Sequence, residues 1–152
     1  MWLIRPGASF ASVSNMNDET RKLQARTQRF YLSVIKLVES LPSNIVTERM
    51  IPQLLDSAGS TDNNYRAACR GRTNREFIAK LGIVVEEADE SKAWLEALAG
   101  AEIGDPQTLK ELIQEADELV AIFTASQKTS QRNAAKRNEI DKLHKGRRRR
   151  RK

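Results

Sequence analysis

The stretch "TNREFIAKLGIVVEEADESKAWLEALAG", residues 73–100, decides the fold. Thr73 followed by Glu76 has the pattern of a capping box, in which each side chain accepts a hydrogen bond from a backbone amide at a helix start. Phe77, Leu81, Val84, Val85, Ala88, Leu95 and Leu98 then recur at spacings of three, four and seven, with Trp94 beside them. That spacing puts them in one stripe along a helix, and the acids between them fall on the other face. Gly100 is a natural stop. At about 1.5 Å per residue the helix is roughly 40 Å long, and one such stripe must be buried against other helices of similar length.

Toward the C-terminus, "GDP" at 104–106 supplies Asp105 as an N-cap and Pro106 as a first helical residue. Leu109, Leu112, Ile113, Ala116, Leu119, Val120 and Phe123 form the next stripe. Beyond it, "ASQKTSQRNAAKRNEIDKLHK" is made of helix formers with almost no apolar face. Its turns are expected to be solvated and frayed, with Gly146 ending the helix. Toward the N-terminus, a helix over about residues 47–70 buries Ile51, Leu54, Leu55, Ala58, Tyr65, Ala68 and Cys69. Pro52 marks its start or kinks its first turn. The stripe is interrupted at Thr61 and Asp62. Asp62 stands four residues before Arg66, the favourable order for a helical ion pair. Ser57, Ala58, Gly59 and Ser60 are small, as expected where another helix backbone comes close. The first helix runs from about Asp18 to Leu41 on Leu23, Phe30, Val34, Leu37, Val38 and Leu41, widened by Tyr31 and Ile35. Pro42 stops it, and "PSN" at 42–44 is expected to be a turn.

Four long helices with short connections predict an all-α fold, an antiparallel up-down-up-down four-helix bundle. The expected organisation is a disordered N-terminal extension over residues 1–17, the bundle over 18–130 and a basic C-terminal tail over 131–152. Residues 1–15 do not form a convincing signal peptide, because Pro6 and Gly7 break the only short apolar stretch.

Charge is divided unevenly along the chain. The formal net charge is +6, yet residues 128–152 hold 12 of the 26 Lys and Arg and two of the 20 acids, a net of +10. Residues 1–127 therefore carry −4. The basic balance comes from the tail and says little about what the bundle binds. Cys69 is the only cysteine, so no internal disulfide can form, which fits the cytoplasm. The apolar runs are too short to span a bilayer, and no lipid anchor accompanies the tail, so no membrane partner is expected.

Catalytic and metal sites find no support. The acids of "EEADE" at 86–90 and "EADE" at 115–118 match solvated helix faces. A di-iron bundle needs Glu-x-x-His pairs pointing inward, and the single histidine, His144, lies in the tail. Ser57, Ser60 and Ser91 have no paired base, and Cys69 lies on an apolar stripe, as a buried structural thiol does. The expectation is a non-enzyme without metal or cofactor.

"RTQRFYLSVIKLVESLP", "QLLDSAGSTDNNYRAACRGRTNREFIAKLGIVVEEADESKAWLEAL" and "ELVAIFTASQKTS", taken in order, resemble the bacterial four helix bundle protein family, also called the 23S rRNA-intervening sequence protein family. Gln53, Leu54, Leu55, Asn64, Thr73 and Phe77 match its blocks. Thr61, Asp62 and Asn63 stand where Ile, Gly and Ala are common, and Ala67 replaces a Glu. The resemblance covers about residues 26–130 and excludes the tail. It implies an antiparallel bundle assembled as a ring-shaped homopentamer, and no catalytic residues. Retroelement accessory variability proteins have a similar bundle and ring and bind a reverse transcriptase and nucleic acid, an analogy of fold alone.

One passage points to binding. Arg66, Arg70, Arg72 and Arg75 gather where the second helix gives way to the third. They either pair with nearby acids, with Arg70 also serving a helix end, or form a phosphate-binding patch. Arg147, Arg148, Arg149, Arg150 and Arg151 are a second, unconstrained basic element. The expected function is a non-catalytic oligomer associated with RNA or a ribonucleoprotein. The alternative is a structural scaffold whose acidic body binds another protein.

Overall fold

A computed structural model describes the backbone over residues 10–149 and side chains over residues 18–145. It contains α1 (Phe10–Ser40), α2 (Ile45–Cys69), α3 (Asn74–Gly100) and α4 (Pro106–Arg149), and no strand among the described residues. Each helix packs on its neighbours in sequence, and α4 closes on α1. Contacts at two levels fix the directions. Thr27 meets Asp62 while Tyr31 lies over Gly59, so α1 and α2 are antiparallel. Ser57 meets Ser91 while Asn64 meets Lys80, which makes α2 and α3 antiparallel. Lys92 meets Asp117 while Ile78 meets Gln127, which does the same for α3 and α4.

Most of the stripes expected from periodicity form the core, although Leu23, Val38, Leu41, Ile51, Leu55, Cys69, Phe77, Ile113 and Val120 are only half-buried. Phe30, Val34, Leu37, Leu54, Leu81, Val84, Leu95, Leu98, Leu109, Leu119 and Phe123 are all buried. Tyr65 stacks at a tilt on Phe123, with ring centroids 4.8 Å apart. Trp94, Tyr31 and Val85 are half-buried at the edges of this core.

The helix ends differ from expectation in instructive ways. α1 begins at Phe10, ahead of Asp18. After Pro6 and Gly7 the next Pro or Gly is Pro42, so nothing in the sequence interrupts a helix between them. Of the expected extension, residues 1–9 lie outside the described residues. "PSN" is more than a turn. Asn44 is the N-cap of α2, and its side chain accepts from the amides of Val46 and Thr47. The Thr47 hydroxyl is 3.0 Å from the Asn44 amide, which completes a capping box. Pro52 lies inside α2 without ending it. The box expected at Thr73 is only half formed: Thr73 accepts from the Glu76 amide, but Glu76 accepts from the Arg72 amide, one residue upstream. Asp105 caps α4 as expected, accepting from the amide and hydroxyl of Thr108, which hold its carboxyl below the usual carboxylate range.

α3 ends at Gly100 by a different device from a left-handed glycine. The left-handed residue is Glu102, at φ 57°. Ile103 donates to the Leu98 carbonyl and Glu102 to that of Ala99, the pair of bonds of a Schellman motif. Gly104, at φ 103°, is where the chain needs glycine, because an added Cβ would also lie 2.9 Å from Leu41. Finally, α4 does not stop at Gly146 but runs through it to Arg149. A single glycine costs a helix about 1 kcal/mol, which is a penalty and not a break.

Candidate nucleic-acid interface

Arginines occupy two kinds of place in this bundle. Some are partnered between or within helices, although Arg29 of α1 and Arg49 of α2 are exposed and form no ion pair among the described residues. Arg26 on α1 forks onto Glu115 of α4 with bonds of 2.6 and 2.8 Å, and it also reaches Glu118. The Glu115 bonds above all push the Arg26 pKa above its ordinary value, and Arg26 in turn lowers that of Glu118. Lys92 of α3 makes a 2.5 Å pair with Asp117.

Arg66, the first of the four arginines at the α2–α3 junction, belongs to this partnered set. Its Nε donates to Asp62 Oδ2 at 2.9 Å. The other oxygen of Asp62 accepts from the Thr27 hydroxyl of α1 at 2.7 Å. Asp62 thus carries a charge into the buried stripe and has both oxygens satisfied there. An unpaired carboxylate at that depth would cost several kcal/mol.

One turn below, the Ser57 and Ser91 hydroxyls meet at 2.9 Å between α2 and α3. Gly59 faces the Tyr31 ring, 3.2 Å from where a Cβ would be. The small residues of α2 therefore admit a side chain of α1 and a close α3 contact, not the backbone of another helix at Gly59. Cys69 is half-buried beside Tyr65, whose phenol is pushed above its usual range by burial first and by Cys69 second.

Arg70, Arg72 and Arg75 are the other kind. All three are exposed, and none forms an ion pair among the described residues. Their backbone is fixed. Arg70 is the C-cap of α2, with its amide bonded back to Ala67 and Ala68. Gly71 donates to the Ala68 carbonyl, Arg72 to Glu76, and Thr73 caps α3. Three exposed guanidinium groups thus stand within six residues of one another, on the end of α2, the connection and the first turn of α3, and guanidinium groups are suited to phosphate oxygens.

The α4 extension supplies further cations. Arg132, Lys136, Arg137, Lys142 and Lys145 are exposed along it. Arg147, Arg148, Arg149, Arg150 and Arg151 lie outside the residues whose side chains are described. Periodicity missed one feature. Arg137 and Asn138 of α4 line the same groove as Asn74 and Arg75 of α3. In sequence they are ordinary tail residues; only the antiparallel register of α3 against α4 brings them beside the junction.

Acidic groups gather elsewhere. Burial pushes the Glu87 pKa upward, with help from Glu90, Glu86 and Asp56 across the α2–α3 surface. Among the described residues no set of three or more His, Cys, Asp and Glu can hold a metal ion. No helix among them is long and apolar enough to cross a membrane.

No curated protein matches the chain. Among solved structures, a protein of unknown function from the S23 ribosomal protein family of Bacteroides thetaiotaomicron is similar, with a TM-score of 0.61 and 25% identity. The match covers 69% of this chain and 97% of that one. The model of the 23S rRNA-intervening sequence proteins matches residues 19–125, which hold all four packed helical stripes, and the chain belongs to that family.

Proposed function

We propose that this protein is a non-catalytic, oligomeric four-helix bundle that binds RNA through the basic end of the bundle. One observation carries the reading: the guanidinium groups of Arg70, Arg72 and Arg75 are exposed, stand on a hydrogen-bonded backbone and form no ion pair among the described residues, whereas Arg66, Arg26 and Lys92 are neutralised within the bundle. Arg66, whose side chain is 37% exposed, forms the inner border of the patch while it holds Asp62. The family's description, which ties it to sequences intervening in 23S rRNA, supports RNA over other polyanions. In this reading the exposed cations of α4 and Arg147 to Arg151 add affinity without selectivity, since phosphate contacts alone carry no sequence information. The protein works in the cytoplasm as a homopentamer, an assembly expected from the family resemblance. Half-buried Tyr31, Ile35, Trp94 and Ile122 flank the core where subunits can meet. Light scattering during size exclusion checks the assembly; a clean monomer at micromolar concentration contradicts it.

The test of the binding is a competition titration between RNAs of different sequence and structure. The intact chain is expected to prefer some over others. The chain with Arg70, Arg72 and Arg75 all replaced by Ala is expected to bind without that preference. An unchanged preference in the triple variant overturns the role of the patch. The scaffold alternative rests on the acidic surface of Asp56, Glu86, Glu87 and Glu90, where burial first and the neighbouring negative charges second raise the Glu87 pKa. It is favoured if the intact chain binds no RNA at low salt.

A further inference from the structure

We infer that the groove between the start of α3 and the extension of α4 is a binding channel for a single RNA strand that continues from the α2–α3 junction. The inference rests on the RNA-binding reading above and says where the strand lies. Arg75 stands on the α3 side of the groove and Arg137 on the α4 side. Neither forms an ion pair among the described residues, although Asp141 is four residues from Arg137 and lines the same groove. Two cations facing one another across a cleft can hold successive phosphates of one strand. Ile78 and Ala134 give the groove an apolar surface for a ribose or base, and Asn74 and Asn138 supply amide donors and acceptors beside it.

The volume is about 560 Å³. That is in the range of sites that take small molecules, about 300–1,000 Å³, and it suits a nucleotide or two and not a duplex. Arg72 and Arg70 lie on the junction just before Arg75, and α4 continues past Arg137 with exposed Lys142 and Lys145, so a strand leaving the junction enters the groove and runs on along α4.

Asp141 provides the decisive test. It is an acid inside the proposed track, whereas Glu139 is an equally exposed acid on α4 that does not line the groove. Asp141→Asn and Glu139→Gln change the net charge of the protein equally. Binding of a short fluorescein-labelled single-stranded oligoribonucleotide is measured at moderate salt, with circular dichroism as the check on folding. Asp141→Asn is expected to tighten binding at least about twofold and Glu139→Gln by clearly less. Arg75→Ala and Arg137→Ala are each expected to weaken it by roughly three- to tenfold, with the double variant departing from the product of the two. The single strand is expected to bind more tightly than a duplex of the same length. Equal effects of Asp141→Asn and Glu139→Gln, or preference for the duplex, overturn the groove while leaving RNA binding by the protein intact. If the intact chain binds no RNA at low salt, the underlying reading fails and this inference falls with it.

Discussion

The two halves of α4 share one helix and almost nothing else. From Pro106 to about Gln127 the helix buries Leu109, Leu112, Ala116, Leu119 and Phe123, and its acids Glu115, Asp117 and Glu118 hold cations from α1 and α3. From Lys128 onward the described side chains are exposed or at most half-buried, and basic residues predominate. The first half is helical because tertiary packing rewards it. The second is helical on local propensity and continuity with the first, which is enough because Ala, Lys, Arg, Glu and Leu are good helix formers. Charge follows the same division: an acid on the packed half meets a partner within the bundle, while a cation on the extension meets solvent. Stability and binding are thereby separated along one element, and substitutions can probe each alone.

The sharpest contrast is a truncation in each half. Phe123→Ala removes a fully buried ring and its contact with Tyr65, at an expected cost of about 3–5 kcal/mol. Leu143→Ala, at a side chain 62% exposed, is expected to cost less than about 0.5 kcal/mol. Urea unfolding of the two variants measures both. Comparable losses would mean that the extension packs on something, and the division would be wrong.

The next effect concerns the partnered arginines. Arg66→Ala leaves the Asp62 carboxylate, 9% exposed, with Thr27 as its remaining partner, and is expected to cost about 2–3 kcal/mol. Asp62→Ala is milder, about 1–2 kcal/mol, because Arg66 is already 37% exposed and can turn to water. The double variant should lose less than the sum by about 1 kcal/mol. Strict additivity in that cycle would remove the pair from the account of stability.

The smallest effect lies at the opposite end of the bundle from the arginine junction. Glu102→Gly places glycine where the left-handed residue of the α3 end stands and is expected to stabilise by about 0.5–1 kcal/mol. RNA affinity should not change. A stability gain accompanied by altered binding would show that the two regions are coupled.

The stripes were legible because each rests on local spacing, and the Asp62–Arg66 pair because an acid-first pair four residues apart interrupts an apolar pattern. Thr27, the second partner of Asp62, was not legible: it comes from another helix, and its spacing within α1 distinguishes it from no other threonine. The α2 cap was hidden in "PSN", whose Pro and Ser fit a turn as well as they fit the residues before an N-cap. Gly146 misled because a penalty of about 1 kcal/mol was taken as a boundary. Arg137 and Asn138 illustrate the general limit. Which side chains share a groove depends on the register between two helices, and periodicity along one helix says nothing about it.

The central claim is that the folded bundle binds RNA with the arginines of its α2–α3 junction and does not merely carry a polycationic tail. Deletion of residues 146–152 tests it most directly, because it removes six cations and leaves the packed bundle and the α2–α3 junction untouched. In filter-binding titrations at several salt concentrations, the shortened chain is expected to bind RNA more weakly and with a shallower dependence of log affinity on log salt, while keeping the intact chain's preference among RNAs. Complete loss of RNA binding at low salt by the shortened chain would contradict the claim, returning Arg70, Arg72 and Arg75 to ordinary surface charge.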